Sequence, residues 1–228
     1  NVHVRDDDKE YDRDYAEMDA MMHKAITIIQ FKVEGQLIKK HPEWDMKERL
    51  LLDKIDYKQG TIRLGGKEYP LNDTYFPTID PKDPYKLTQE EEDVVERLKN
   101  SFLGSERLQR HIRFLYTKGG LYKVYNGNLL YHGCVPLNED GSFMKVRIFD
   151  KTYSGKALYD ILELYARKGY YSIDQQEKQR GEDILWFIWK NKHSPVFGKE
   201  RMATFERYFI DATETHEEPK NAYYRLFE

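Results

Sequence analysis

The residues best suited to chemistry form a short stretch, Leu130-Tyr-His-Gly-Cys134, at the end of a predicted strand. His132 could bind a metal ion, because imidazole is a common metal ligand and the following glycine adds no side chain beside it. No second ligand of a matching type stands two or four positions away, so its co-ligands would come from distant parts of the sequence. On spacing alone, the alternative of a hydrogen-bonded structural histidine is favoured.

Basic residues that could hold a phosphate lie on a predicted helix. Three arginines spaced three positions apart, followed by a lysine, form this set: Arg107, Arg110, Arg113 and Lys118. Arginine suits phosphate because its guanidinium group donates two parallel hydrogen bonds, although a solvated helix face is the alternative interpretation. His193, at the start of a Pro195–Lys199 turn, is a further candidate for a substrate contact, with a simple loop role as the alternative.

The elements that must position these residues are predicted from periodicity and turn signals. A long helix is predicted from Ala16 to just before Pro42, since apolar residues recur there every three or four positions. Its expected buried stripe comprises Met18, Met22, Ala25, Ile29, Val33 and Leu37. A hairpin with a primed turn at Gly65-Gly66 follows, and the proline-rich stretch 76–85 is predicted to be a tethering loop.

The second half of the chain is predicted to alternate between helices and strands. Thr88 and Glu91 form a capping box for a helix running from Gln89 through Leu98, and a second helical piece covers 105–116. Segments 121–125, 128–135 and 143–149 are predicted to form a three-stranded antiparallel meander. Two more helices are expected, one capped by Ser154 and closed by Gly169, the other over 183–192.

Composition narrows the class of protein. The chain has 228 residues, 37 Lys and Arg against 40 Asp and Glu, and a formal net charge of −3. This balance disfavours non-specific nucleic-acid binding, and no apolar run is long enough for a membrane span. The single cysteine, Cys134, fits a reducing compartment, so we expect a cytoplasmic protein. We expect Cys134 to be a small buried hydrophobe rather than a nucleophile.

Several long stretches give the chain a resemblance to class III fructose-1,6-bisphosphatases, bacterial enzymes with a calcineurin-like metallophosphatase core. The stretch 125–141, which contains His132, resembles the fourth metal-binding motif of that family. The other matching stretches are 25–32, 45–57, 108–116, 193–198 and 204–209. Together they cover nearly the whole chain, and their length argues against chance.

The resemblance implies a gluconeogenic hydrolase that removes the 1-phosphate of fructose 1,6-bisphosphate with the help of two metal ions. Manganese is the expected metal. Two cations roughly 3.5–4 Å apart turn bound water into hydroxide and neutralise charge on the phosphoryl oxygens. By similarity, His132 is one metal ligand. The family's other motifs, Asp-x-His, Gly-Asp-x-x-Asp-Arg-Gly, Gly-Asn-His-Asp and Gly-His-Thr, do not occur in the sequence. We therefore expect an internal fragment of the enzyme that is inactive alone and binds no metal.

The implied fold is α+β, part of a calcineurin-like core with a mainly helical insertion. Residues 1–15 would be a disordered or extended leading segment, 16–118 the helical insertion with one short hairpin, and 119–228 a strand meander with helices of the metallophosphatase domain. Two alternatives stay open: another calcineurin-like phosphatase, such as a protein Ser/Thr phosphatase, or a non-catalytic interaction or regulatory module. The sequence also leaves a homo-oligomer open.

Overall fold

The computed structural model describes residues 13–198, 209–210 and 221–227. They form helices and small antiparallel sheets, which confirms the predicted α+β class. The described residues divide into two compact units, the first with 13–42, 47–97 and 209–210, the second with 43–46, 98–198 and 221–227. None of the described helices is long and apolar enough to cross a membrane.

Helix α1, Arg13–Lys40, opens the first unit and ends before Pro42 as predicted. It already includes residues 13–15, so the expectation of a disordered or extended segment is wrong for these three residues. Apolar periodicity does not mark this start, because the helix begins ahead of its first apolar residues. Residues 1–12 lie outside the described part. The predicted stripe is also wrong for most of its members. The helix buries a neighbouring face that includes Ile28, Phe31 and Ile38, whereas Met18 and Met22 are exposed.

The first unit contains a three-stranded sheet, β1–β3, whose strands are Ile55–Asp56, Thr61–Leu64 and Lys67–Pro70. The predicted hairpin is confirmed: Gly65 and Gly66 have φ angles of 56° and 82°, which suit a primed turn. The strand β1 was not predicted. It follows three single 3₁₀ turns, at Pro42–Trp44, Lys47–Arg49 and Leu51–Lys54, and extends the hairpin by one short strand.

The loop 76–85 is irregular and anchored to α1, as its prolines predict. The ring of Tyr85 fills the space beside Gly35, where a Cβ would approach Tyr85 Cδ1 to 2.0 Å. Nearby, the fully buried Lys32 ammonium lies 2.7 Å from the Glu91 carboxylate. Glu91 also completes the predicted capping box, because its carboxylate accepts the Thr88 N–H at 2.8 Å. Helix α1 is thus tied to the start of α2.

Helix α2, Gln89–Gly104, runs past its predicted end at Leu98. Ser105 then caps helix α3, Glu106–Lys118, by accepting the Leu108 N–H at 3.4 Å. The two helices predicted here are therefore confirmed as separate elements, with the break between them at Gly104. Helix α3 buries none of its residues fully, and it contacts α4 through stacking of Tyr116 on Tyr170 at 4.9 Å.

The predicted three-stranded meander is wrong. Strands β4, Tyr122–Tyr125, and β5, Asn128–Tyr131, pair only with each other in the described part of the chain, and the third segment forms a separate hairpin of β6, Val146–Ile148, with β7, Lys151–Tyr153. The middle strand ends early because Gly133 turns the chain at a φ of 84°. Where the second and third predicted strands were expected to pair, the described residues form a single antiparallel bridge, between Leu137 and Phe143.

Helices α4, Gly155–Tyr171, and α5, Gln175–Lys190, form an antiparallel pair, and a short helix α6, Ala222–Phe227, completes the described second unit. Two predicted bounds are corrected here. Helix α5 starts eight residues earlier than predicted, because Asp174 caps it by accepting the Glu177 N–H at 2.8 Å. Gly169 does not close α4 but lies inside it, where a Cβ would come within 2.7 Å of the Gly181 backbone.

Candidate functional site

His132 directly follows the last residue of β5 and is exposed to solvent. The sequence placed it on the middle strand of the meander; the structure places it one residue beyond the strand, in a bend. No group of three or more His, Cys, Asp or Glu side chains that could hold a metal ion occurs among the described residues. On their own, these residues therefore do not fit a two-metal centre.

The backbone around His132 is held tightly, and we call residues 132–134 the His132 loop. A Cβ added to Gly133 would lie 2.4 Å from the Pro195 carbonyl oxygen and 2.6 Å from that of Val196. The next N–H, that of Cys134, donates to the Pro195 carbonyl at 2.8 Å. The loop is thus packed directly against the segment that begins at His193.

Two side chains far away in sequence hold the chain within this loop and just after it. The buried Tyr159 hydroxyl of α4 donates to the Cys134 carbonyl at 2.9 Å. The Asn221 side-chain oxygen accepts the N–H groups of Leu137 and Tyr223, each at 3.0 Å. Neither Tyr159 nor Asn221 can be identified from the sequence, because a lone tyrosine in a helix and a lone asparagine carry no local signal of such a contact.

An aromatic cluster holds Tyr131, the residue just before the loop. Tyr131 and Tyr122, paired across β4 and β5, both pack edge-on against Tyr159 with ring centroids 6.4 and 5.7 Å away. The hydroxyl groups of Tyr131 and Tyr223 are hydrogen-bonded to each other. This hydrogen bond and burial raise the pKa of Tyr131 to about 12, so its hydroxyl stays protonated at neutral pH.

His193 lies in the segment against which the loop packs. Asn191 accepts the His193 N–H at 2.7 Å, and the fully buried Ser194 accepts from the N–H of Val196 at 3.1 Å, so the turn is well fixed. Burial, together with the neighbouring Lys192 ammonium, lowers the pKa of His193 to about 4. At neutral pH its imidazole is uncharged and can offer a phosphorylated ligand only hydrogen bonds.

Cys134 behaves as the sequence predicts. It is completely buried, and burial raises the pKa of its thiol to about 11. A protonated, inaccessible thiol is a poor nucleophile, because the thiolate is the reactive form. This supports the reading of Cys134 as a packing residue.

The predicted arginine row lies on the exposed side of α3, and no described carboxylate forms an ion pair with it. Its members are Arg107, Arg110, Arg113 and, beyond them, Lys118. Helix α3 contacts the end of α4 at Tyr170, whereas the His132 loop contacts Tyr159. Eleven helical residues span about 16 Å at 1.5 Å each, so these two anchor points are well separated. The described contacts therefore bring Pro195 and Val196, which follow His193 closely in the chain, to the His132 loop, but not the arginines.

The β4–β5 hairpin that leads to His132 exposes apolar side chains on both of its faces. Val124 and Leu129, which pair across the strands, are 63% and 54% exposed, while Tyr125 and Leu130 on the other face are 62% and 54% exposed. A two-stranded hairpin is marginally stable without further packing. Within the described residues, only its first pair, Tyr122 and Tyr131, is anchored to α4.

Comparison with known proteins supplies the family. The model of the Firmicute fructose-1,6-bisphosphatase family matches residues 1–228. The chain is 58% identical over 210 residues to fructose-1,6-bisphosphatase class 3 of Clostridioides difficile, with 92% of this chain and 32% of that protein covered. It is 56% identical over 218 residues to the Clostridium tetani protein of the same name, covering 95% of this chain and 33% of that one.

A third relative, fructose-1,6-bisphosphatase class 3 1 of Clostridium beijerinckii, is 52% identical over 221 residues, covering 97% of this chain and 33% of that protein. The chain thus spans about a third of the length of these curated relatives. No solved structure matches it significantly. Because the family model matches the chain from end to end, the chain belongs to the Firmicute fructose-1,6-bisphosphatase family.

Proposed function

We propose that this chain is part of a longer class III fructose-1,6-bisphosphatase, which hydrolyses fructose 1,6-bisphosphate to fructose 6-phosphate and phosphate in gluconeogenesis in the cytoplasm. The observation that carries the proposal is the family match over residues 1–228. It is supported by relatives with the class 3 name that are more than 50% identical over nearly the whole chain.

In this proposal His132 is one ligand of a pair of divalent metal ions, manganese being expected, in a calcineurin-like core. Bound metal ions would supply a hydroxide nucleophile and neutralise phosphoryl charge. The exposure of His132 and the absence of a ligand cluster among the described residues both agree with a site whose remaining ligands belong to other parts of the longer protein. The exposed apolar faces of the β4–β5 hairpin agree with packing against such parts.

The substrate contacts are proposed at two places. His193, uncharged and fixed beside the His132 loop, would hydrogen-bond a hydroxyl or phosphate oxygen of the sugar bisphosphate. The arginine row of α3 would serve the phosphate that is not cleaved only if α3 faces the cleft in the longer protein. Alanine at Arg110 or Arg113 tests this: a raised KM for the bisphosphate supports a contact, and an unchanged KM removes the residue from the site.

The experiment is a phosphate-release assay on the longer protein, with manganese added or removed by a chelator. We expect release from fructose 1,6-bisphosphate that depends on manganese, and none from the isolated 228-residue chain. Preference for a phosphopeptide over the sugar bisphosphate would instead indicate a protein phosphatase. Absence of any metal-dependent release would leave the non-catalytic module as the better account.

A further inference from the structure

We propose that Tyr159 is a positioning residue that fixes the backbone on both sides of His132; this inference rests on the proposed function, in which His132 acts in the phosphatase site. Tyr159 is only 5% exposed and sits in the second turn of α4. Its hydroxyl and its ring contact different parts of the chain around His132, so a single side chain controls the residue before it and the residues after it.

The hydroxyl group holds the chain after His132. It donates to the Cys134 carbonyl at 2.9 Å, while the Cys134 N–H donates to Pro195 at 2.8 Å. Cys134 is completely buried, so its carbonyl has no water to replace the tyrosine. A buried carbonyl that loses its donor moves toward another or stays unsatisfied, and either outcome loosens the peptide that follows Gly133.

The ring holds the chain before His132. Tyr131, the last residue of β5, packs edge-on against Tyr159 at a centroid distance of 6.4 Å, and its hydroxyl pairs with that of Tyr223. The side chain of His132 is itself exposed, so these two flanking anchors act on it through the backbone, by setting the direction of its Cα–Cβ bond. A displacement of about 1 Å in a catalytic group can cost roughly a hundredfold in rate, so such anchoring bears on activity.

The test is Tyr159→Phe in the longer protein, which removes the hydroxyl and keeps the ring. We expect kcat for fructose 1,6-bisphosphate to fall about tenfold with KM nearly unchanged, since the reacting geometry rather than substrate binding is loosened. The matched control is Tyr57→Phe, which removes a tyrosine hydroxyl that donates to the Leu52 carbonyl at 3.0 Å in the first unit. It should leave kcat unchanged while costing comparable thermal stability.

A second readout is independent of activity. Amide hydrogen exchange at Gly133 and Cys134 should be faster in Tyr159→Phe than in the wild type, and unchanged in Tyr57→Phe. A milder variant, Tyr223→Phe, removes only the hydroxyl that pairs with Tyr131 and should lower kcat in the same direction by less. It keeps the inference testable if Tyr159→Phe fails to fold.

The outcomes separate this inference from the proposed function. If His132→Ala is inactive but Tyr159→Phe and Tyr223→Phe match the wild type in kcat and in exchange, the positioning role is overturned alone. If His132→Ala keeps its activity, the assignment of His132 to the site is overturned, and the catalytic part of this inference with it.

Discussion

Gly133 has a different reason to be glycine from the one its sequence context indicates. In the sequence, a glycine after a histidine leaves room for a metal ion. In the structure, the place of its Cβ is taken by the carbonyl oxygens of Pro195 and Val196, and its φ of 84° is one that other residues rarely adopt. The glycine therefore joins the His132 loop to the His193 segment, a contact for which neither segment carries a local signal.

Replacing Gly133 by alanine should destabilise the second unit more than the same change at Gly127. Both glycines have positive φ, but a Cβ at Gly127 meets nothing within 4 Å. We expect about 1–2 kcal/mol of backbone cost at either position and a further 1–3 kcal/mol at Gly133 from the clash. The chain's 3 tryptophans, at 44, 186 and 189, all lie in the second unit, so their fluorescence during denaturation measures it. Equal losses for the two variants would contradict the packing described for Gly133.

His193 should make the stability of the fold depend on pH. Its pKa is about 4 in the folded chain, below the ordinary value of 6.5, so below pH 6.5 the unfolded chain binds a proton that the folded chain does not. The free energy of unfolding should therefore fall as the pH is lowered from about 6.5 to about 4, by up to roughly 3 kcal/mol.

The control for this pH dependence is His193→Gln, which keeps a polar side chain but cannot take up the proton. Denaturation of both proteins at several pH values gives the free energy of unfolding of each. The value for the wild type minus the value for His193→Gln should decrease as the pH falls from about 6.5 to about 4. Parallel curves would show that the folded chain does not hold His193 in its neutral form.

Among the secondary-structure elements, a cap and a turn that involve only neighbouring residues are confirmed, whereas helix bounds and the pairing of distant segments are corrected in several places. The capping box at Thr88 and the turn at Gly65-Gly66 need only neighbouring residues, and both are confirmed. The predicted meander is wrong because β5 ends where Gly133 turns the chain, and the Cys134 N–H then donates to Pro195 instead of to a neighbouring strand. Leu137 is held by a hydrogen bond to Asn221, 84 positions away. Hydrophobic periodicity contains no information about such pairings.

The buried ion pair between α1 and α2 should show a non-additive response to mutation. Burial alone would raise the pKa of Glu91, but hydrogen bonds from Lys32 and Thr88 outweigh it and hold that pKa below its usual value. Lys32→Met leaves a buried carboxylate unpaired and should cost about 3–5 kcal/mol. The double variant Lys32→Met/Glu91→Gln removes the charge but keeps an oxygen for the Thr88 N–H, so it should recover part of that loss. Thermal unfolding followed by circular dichroism measures the stability of the single and the double variant. A double variant less stable than Lys32→Met would show that the unpaired carboxylate is not the cause of the loss.

The crossing of α4 and α5 depends on two glycines, Gly169 and Gly181, that approach each other closely. The sequence predicts Gly169 as the end of a helix and gives no signal for Gly181. A Cβ at Gly181 would lie 2.1 Å from the Gly169 nitrogen, so Gly181→Ala must push the helices apart. We expect a loss of about 1–3 kcal/mol, measured by tryptophan fluorescence. Gly104→Ala, at the open end of α2, is the matched control and should be neutral or slightly stabilising. Similar stability of the two variants would show that the helices can separate without cost.

For the whole molecule, the family could be recognised from sequence while the site could not be completed. The stretch around His132 resembles the family whose model matches the chain, and the α+β class is confirmed. The residues that support His132, namely Tyr159, Asn221 and the Pro195 carbonyl, required the structure because their contacts are non-local. The assignment of 16–118 to an insertion and 119–228 to the metallophosphatase domain stays a prediction.

The proposal that His132 is a metal ligand of the active site is tested by the rate of manganese-dependent phosphate release from fructose 1,6-bisphosphate by the longer protein carrying His132→Ala. His111→Ala, at an exposed position on α3, is the matched control for loss of an imidazole. We predict that His132→Ala lowers kcat by at least about a hundredfold and weakens manganese binding, because metal sites lose function when a ligand is removed. His111→Ala should keep the wild-type rate. A His132→Ala enzyme that is as active as the His111→Ala enzyme would contradict the claim that this chain contributes His132 to the active site.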